Sequence, residues 1–220
     1  IMLRTLTTVG WVTRSPAGEY STTAGASACA NCPMLAALFQ DVYSEACEHS
    51  ISSSAGSHLP RLSRWLDCVC DGWDVPAAAR ELPYLSQMLA GAVIAPMLLE
   101  LRMISSSYTA RAAEGKHEHA VAEVSLSPVS DTAAAELGAF FERQGWGAYA
   151  AECHQLTLSE PGLFILERCP AFGVCLSYRP MLHRLHEATF GETAGVFTYE
   201  DGHEAWVDRR LNVIGSGFMH

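Results

Sequence analysis

Apolar residues at helical spacing open the chain: Met2, Leu3, Leu6 and Val9 lead into Gly10, a residue suited to closing a helix. Trp11-Val12-Thr13 then alternates as a strand, Ser15-Pro16-Ala17-Gly18 supplies a turn, and Glu19-Tyr20-Ser21-Thr22 returns. A helix followed by a hairpin is the closing half of a winged helix, so residues 1–28 are expected to form a partial unit of that kind. The same order recurs later. Leu137 to Trp146 ends in Gly-Trp, as Leu3 to Trp11 does. Ser130-Asp131-Thr132 marks the start of that helix, and Glu136 lies in a region that favours acids. Gln155–Leu158, Ser159–Gly162 and Leu163–Leu166 then read strand, turn, strand. A second winged-helix-like lobe, carrying a C-terminal tail, is therefore expected over residues 120–220.

Between the two lies a helical pattern. Pro33 to Glu48 has Pro in its first turn and an apolar stripe of Leu35, Leu38, Phe39, Val42 and Tyr43. The Ser- and Gly-containing stretch 50–57 reads as a loop. Leu59–Cys70 and Ala77–Leu82 are short helices broken at Gly72 and Pro83, and Tyr84–Ile104 is a longer apolar helix with a kink expected at Pro96. Residues 29–104 thus form a helical region, and the polar stretch 105–119 a linker. Near the end, Pro180–Phe190 reads as a helix, with Val196–Glu200 and Ala205–Val207 as edge strands. The fold class is mainly α with short β-hairpins: two winged-helix-like lobes, the first incomplete, around a helical middle.

Composition narrows the function. With 49% hydrophobic and 17% charged residues in 220, the chain suits a packed core. Fourteen Lys and Arg against 24 Asp and Glu give a net charge of −10, which opposes a phosphate backbone, and no basic run is present. The most apolar run, Met88 to Leu101, is interrupted by Pro96 and Glu100 and is short of a bilayer span of roughly 20 residues. The N-terminus lacks the plan of a signal peptide and starts as if in mid-helix. A cytoplasmic module, part of a larger protein, with neither nucleic acid nor membrane as partner, is expected. The eight cysteines are irregularly spaced, which favours reduced, packed thiols over a disulfide framework.

Several groups have the spacing for chemistry. Cys29-Ala30-Asn31-Cys32 would let two thiolates share a metal or form a redox pair, but no further ligands follow at short spacing, and packed thiols at a helix start are the simpler reading. Cys47 with His49, and Cys68 with Cys70, would have to be brought from elsewhere in the fold. His117 and His119 fall in the polar linker. His183 and His186, three apart on one expected helix, suit capping or surface roles better than a shared metal. No metal site is expected. Charge and aromaticity concentrate in the last twenty residues, where Asp201, His203, Glu204 and Asp208 could act as acids, bases or ligands. Arg209 and Arg210 could meet a phosphate or carboxylate, with Trp206 as the buried anchor. The bland alternative is a salt-bridged turn around Trp206. Gly215-Ser216-Gly217 lacks a third glycine, and no Walker A loop, nucleophile elbow or H-E-x-x-H occurs, so no residue is assigned to catalysis.

Three segments together resemble a known family. Leu89-Ala90-Gly91-Ala92-Val93-Ile94-Ala95-Pro96-Met97-Leu98-Leu99-Glu100-Leu101 resembles the helix that opens the non-catalytic part of certain methyltransferases. Leu176-Ser177-Tyr178-Arg179-Pro180-Met181-Leu182 and Phe190-Gly191-Glu192 are similar to the segments that follow it. Glu204 to His220, with V-D-R-x-L-N-V-x-G-S-G-x-x-H, resembles the stretch just before the cofactor-binding core. The resemblance is to the N-terminal, lid-like portion of C-methyltransferase domains of modular polyketide synthases, and covers most of residues 85–220. It implies methyl transfer from S-adenosylmethionine, in some members beside a metal ion, to a carbon of an acyl chain on an acyl carrier protein. The acidic, Gly-rich cofactor loop of that family has no counterpart here. The chain itself is thus expected to hold no cofactor and to act as lid and docking piece for a separate core. Tyr178, Arg179, Glu204, Asp208, Arg209, Asn212 and His220 are the residues this resemblance places at the substrate side. Two other classes compete: a winged-helix regulator that senses a small ligand, and a helical protein-interaction module. The low basic content of the first helix, whose one cation is Arg4, weighs against the regulator.

Overall fold

The computed structural model describes residues 2–43, 59–104, 123–191, 193–200 and 202–219. The expected end of the Pro33 helix at Glu48, the 50–57 loop, Cys47, His49, the 105–119 linker with its two histidines, Asp201 and His220 lie outside the described residues.

The first lobe forms as its pattern dictates. Helix α1 (Met2–Thr8) ends at Gly10, whose φ of +75° suits a residue without a side chain. Strands β1 (Val12–Arg14) and β2 (Tyr20–Thr22) pair antiparallel, with Val12 opposite Thr22 and Arg14 opposite Tyr20. Next comes an element the sequence reading passed over, α2 (Ala24–Ala30). Its run of small residues carries no large apolar period. Its start signal is Thr23, whose hydroxyl accepts from the Ala26 N–H at 3.2 Å. Gly25 lets α2 lie close to the chain around Ala78 and Leu82; a Cβ there would sit 2.7 Å from the Ala78 carbonyl oxygen.

The helical middle follows the sequence pattern closely. It comprises α3 (Pro33–Tyr43), α4 (Leu59–Asp71), α5 (Ala77–Arg80) and α6 (Leu85–Ile104), the last running through Pro96 unbroken. Leu85 to Arg102 is long and apolar enough to cross a membrane by length and composition, but half of it is buried inside the protein, as in a core helix. Leu89, Val93, Met97, Leu98 and Leu101 enter one core together with Leu35, Leu38 and Trp65. Each such fully buried side chain contributes about 1.5–3 kcal/mol. The Trp65 indole N–H donates to Asp41 Oδ2 at 2.9 Å, so its burial strands no donor.

The second lobe contains a three-stranded antiparallel sheet of β3 (Glu123–Ser125), β4 (Gly147–Ala150) and β5 (Gln155–Leu158), in the order β3-β5-β4. Helix α7 (Asp131–Arg143) lies on it, started by the Ser130 hydroxyl, which accepts from the Ala133 N–H. Phe140, Phe141 and Trp146 meet edge-to-face at centroid distances of 5.6–6.2 Å. The core is continuous from the helical middle into this lobe, through Leu137, Phe141, Leu156 and Leu166. The protein is mainly helical with short antiparallel hairpins, as expected.

Three local expectations fail. Leu163–Leu166 is not a strand but part of α8 (Glu160–Arg168), and the hairpin partner of β5 is β4, upstream. Ser159-Glu160-Pro161-Gly162 reads as a turn by composition, yet Ser159 is a helix cap whose hydroxyl accepts from the Gly162 N–H at 3.3 Å, with an acid and Pro in the first turn. Second, the helix expected over Pro180–Phe190 is broken at Arg184. After the 3₁₀ turn Cys169–Ala171 come three short helices, α9 (Phe172–Ser177), α10 (Arg179–His183) and α11 (Leu185–Phe190). Third, the edge strands shrink to β6 (Tyr199–Glu200) and β7 (His203–Glu204), turning at Gly202, and Ala205–Val207 is not a strand. The chain closes with α12 (Arg209–Met219).

Candidate functional site

Two of the tail residues singled out by sequence, Asp208 and Asn212, lie at the crossing of α12 over α9. Asp208 starts α12: its carboxylate accepts from the Leu211 N–H at 3.0 Å, and its backbone carbonyl accepts from the Asn212 N–H at 3.0 Å. The N–H of Asp208 donates to the Ser177 carbonyl at 2.7 Å. Asn212, one turn along, donates from Nδ2 to Ser177 Oγ at 3.2 Å, and that hydroxyl donates in turn to the Val174 carbonyl at 2.6 Å. Ser177 is fully buried, so these bonds satisfy groups that water cannot reach.

Below this polar cap the helices touch through glycine. A Cβ on Gly173 would lie 2.6 Å from the Leu211 carbonyl oxygen and 2.9 Å from the Gly215 nitrogen. A Cβ on Gly215 would lie 2.8 Å from Val174 Cγ2. Gly215-Ser216-Gly217 is therefore no phosphate or cofactor loop; it sits inside α12, and Gly215 permits backbone-to-backbone approach. Leu211 and Ile214, on either side of the contact, pack against the core. Sequence reading missed Gly173 and Ser177. Their signal is the i, i+4 spacing of two small residues, which puts both on one face of α9.

Other residues of the tail make contacts of their own. Arg209 and Glu204 form a two-pronged pair, Nε to Oε2 at 2.8 Å and a second contact from Nη2 to Oε1. This guanidinium holds the Glu204 carboxyl below its ordinary value. Tyr178 and Tyr199 are within electrostatic reach of Arg209. Tyr178 is exposed between α9 and α10, and Arg179 opens α10 half-buried. Trp206 was expected in the core; the structure holds it half-buried instead, edge-to-face against Phe197 at 5.6 Å and Tyr199 at 5.3 Å. Neither ring can shield it, since both are themselves exposed. The buried residue here is its neighbour Val207, 6% exposed.

Residues 90–192 match the AprA winged helix domain. The match, somewhat under half of the chain, begins inside α6, takes in the β3-β5-β4 sheet with α7, and ends just after α11. The α9 side of the crossing thus lies within it and the α12 side beyond it. No curated protein matches the chain.

Among the described residues, no group of three or more His, Cys, Asp or Glu is placed to hold a metal ion. Cys29 and Cys32 are both buried and free, and burial, then the neighbouring Cys32, pushes the Cys29 thiol up, away from the reactive thiolate. The break at Arg184 puts His183 and His186 on different helices rather than on one face. At the crossing the described polar groups are already engaged: Asp208 caps, Asn212 holds Ser177, and Glu204 holds Arg209. This arrangement positions chain; it does not set a nucleophile beside a base.

Proposed function

We propose that this chain is the winged-helix and helical lid of a polyketide-synthase-type methyltransferase, which uses S-adenosylmethionine on an acyl chain carried by an acyl carrier protein. The observation that carries this reading is an overlap. The AprA winged helix match over 90–192 contains most of Leu89–Leu101 and all of Leu176–Leu182 and Phe190–Glu192, the segments whose sequence resembles the methyltransferase lid. The state of α7 also favours a structural role over nucleic-acid recognition. This helix precedes the β4–β5 hairpin, and its single basic residue, Arg143, is occupied by Asp67 and Asp71 of α4.

The described residues do not suit the cofactor. The one Gly-x-Gly of the tail lies inside α12, with Gly215 spent on the α9–α12 crossing, so S-adenosylmethionine is assigned to a separate core and no catalytic step to this chain. Its part is to cover the substrate and exclude water while the core reacts. The α9–α12 crossing then fixes the course of Tyr178, Arg179 and Asn212 on the lid.

Calorimetry of the 220-residue chain with S-adenosylmethionine should show no binding. The coding sequence beyond His220 should carry an in-frame D/E-x-G-x-G-x-G, and the polypeptide including that core should methylate a carrier-bound acyl thioester. A micromolar dissociation constant for the chain alone, or a downstream sequence without that loop, overturns the reading.

A further inference from the structure

We infer that Cys29 and Cys32 are a reversible redox pair: the two thiols close to a disulfide that staples the end of α2 to the start of α3, and a dithiol reopens it. The Cys32 N–H donates to the Cys29 carbonyl at 3.1 Å, three residues back. In a turn of that kind side chains three apart stand one above the other, so both sulfurs lie on the same side of the chain. On a regular helix the Cβ atoms of such neighbours are about 5–6 Å apart, and a disulfide needs roughly 3.5–4.5 Å. The tighter turn takes up part of the difference. Asn31, at φ −102° and ψ 12°, has already left the helix, so the rest of the closing movement falls on one residue outside it. The Cys32 carbonyl accepts from the Ala36 N–H at 3.1 Å and so opens α3.

The surroundings suit a disulfide better than two thiolates. Both residues are in the core with Leu35 and Leu38, 8% and 5% exposed. Ala30, Asn31 and Pro33 around them are exposed, so the pair lies just beneath the surface. Among the described residues neither thiol makes a hydrogen bond, whereas Cys70, Cys153 and Cys169 all do. Loss of the two S–H hydrogens therefore leaves no partner stranded. Burial, with Cys32 adding, pushes the Cys29 thiol up and slows its attack as a thiolate. A disulfide carries no charge, so the same burial does not penalise it once formed.

The co-reactant is a low-molecular-mass disulfide such as oxidised glutathione. One cysteine, as its thiolate, attacks that disulfide, forms a mixed disulfide and expels one small thiolate. The second cysteine then attacks the protein-side sulfur and expels the other. One S–S bond forms in the protein as one breaks in the reagent, and the two cysteine protons end on the two released thiols. In a reducing compartment the pair is open, and it closes under oxidative load. Gly25 seats α2 against Ala78 and Leu82, so closure stiffens the tie between the first lobe and the helical middle.

The full chain, equilibrated in glutathione buffers of rising oxidised share, quenched with an alkylating agent and digested, tests this by mass. The peptide that holds Cys29 and Cys32 should become lighter by two hydrogens and escape alkylation, and a dithiol should reverse both changes. Two thiols that stay alkylatable at the oxidised limit, two separate glutathione adducts, or a bond from either residue to another cysteine overturn the proposal. The oxidised parent should melt about 2–4 °C above the reduced one. Cys29→Ala should lose that rise; a rise that persists in the variant overturns the staple. Carbon NMR of cysteine-labelled parent protein needs no variant. The Cβ signals of Cys29 and Cys32 should shift together on oxidation, and signals that move separately or stay fixed are fatal to the pair.

Discussion

Two helix–helix joints in this protein are built from opposite materials. Where α12 crosses α9, two glycines bring backbones together, and Ser177, Asn212 and the helix-capping Asp208 seal the end. Where α4 lies along α7, the contact is a ladder of charge, with Ser63 and Asp67 beside Glu136, and Asp67 and Asp71 beside Arg143. The glycine contact of the first joint depends on shape, which salt and protons do not alter. The second depends on ionisation, which both alter. The crossing of α12 over α9 is of the first kind, while the tie between lobe and helical middle is of the second.

The comparison breaks most sharply at Gly215. Gly215→Leu would drive a side chain into the backbone of α9 at Gly173 and Val174, with no flexible neighbour to yield. Overpacking of this sort costs about 1–3 kcal/mol, and here the upper figure is expected. For a chain of this size that lowers the melting temperature by about 6–12 °C. The loss should be the same in low and high salt. A salt-dependent loss would show that the crossing is not a matter of shape.

Trp206→Ala comes next. Had Trp206 been a core anchor, its truncation would cost about 3–5 kcal/mol. Half-buried against two exposed rings, it should cost about 1–2 kcal/mol, the value of a partial burial plus an edge-to-face contact. Urea denaturation of variant and parent measures this directly. A loss of the larger size would mean that the β6–β7 hairpin is welded to the core and that the shape-built joint extends through it.

How far the sequence carried these joints follows from what each is made of. The helices of the middle were legible because Leu35 and Leu38, or Leu85, Leu89 and Val93, repeat with the helical period and meet Gly72 and Pro83 at their ends. Ser159-Glu160-Pro161-Gly162 was ambiguous, since residues that favour turns also favour helix caps. The helix α2 was hidden because Ala, Gly and Ser carry no period. At the tail, the structure brings Asp208 and Asn212 to the crossing and leaves Trp206 on the β6–β7 hairpin, and Gly215 and Gly217 are legible in sequence only as a broken cofactor loop. What makes Gly215 a packing contact is Gly173, forty-two positions away, and no local pattern announces a partner at that distance. Ser177 falls in a segment that resembles the methyltransferase family, but its burial follows from Asp208 and Asn212 closing over it.

The smallest expected effect lies at Arg143, and it tests the charged side of the comparison. Its guanidinium is 39% exposed, and the carboxylates of Asp67 and Asp71 are 62% and 70% exposed, so water already screens the pairs. Arg143→Gln keeps the length and polarity of the side chain but removes the charge. In dilute buffer it should lower the melting temperature by less than either change above. At 1 M salt, where the screening length falls to roughly 3 Å, variant and parent should melt together. If the variant differs from the parent equally at low and high salt, Arg143 acts through packing of its stem. The α4–α7 joint would then be built of shape, like the α9–α12 crossing, and the contrast between the two would disappear.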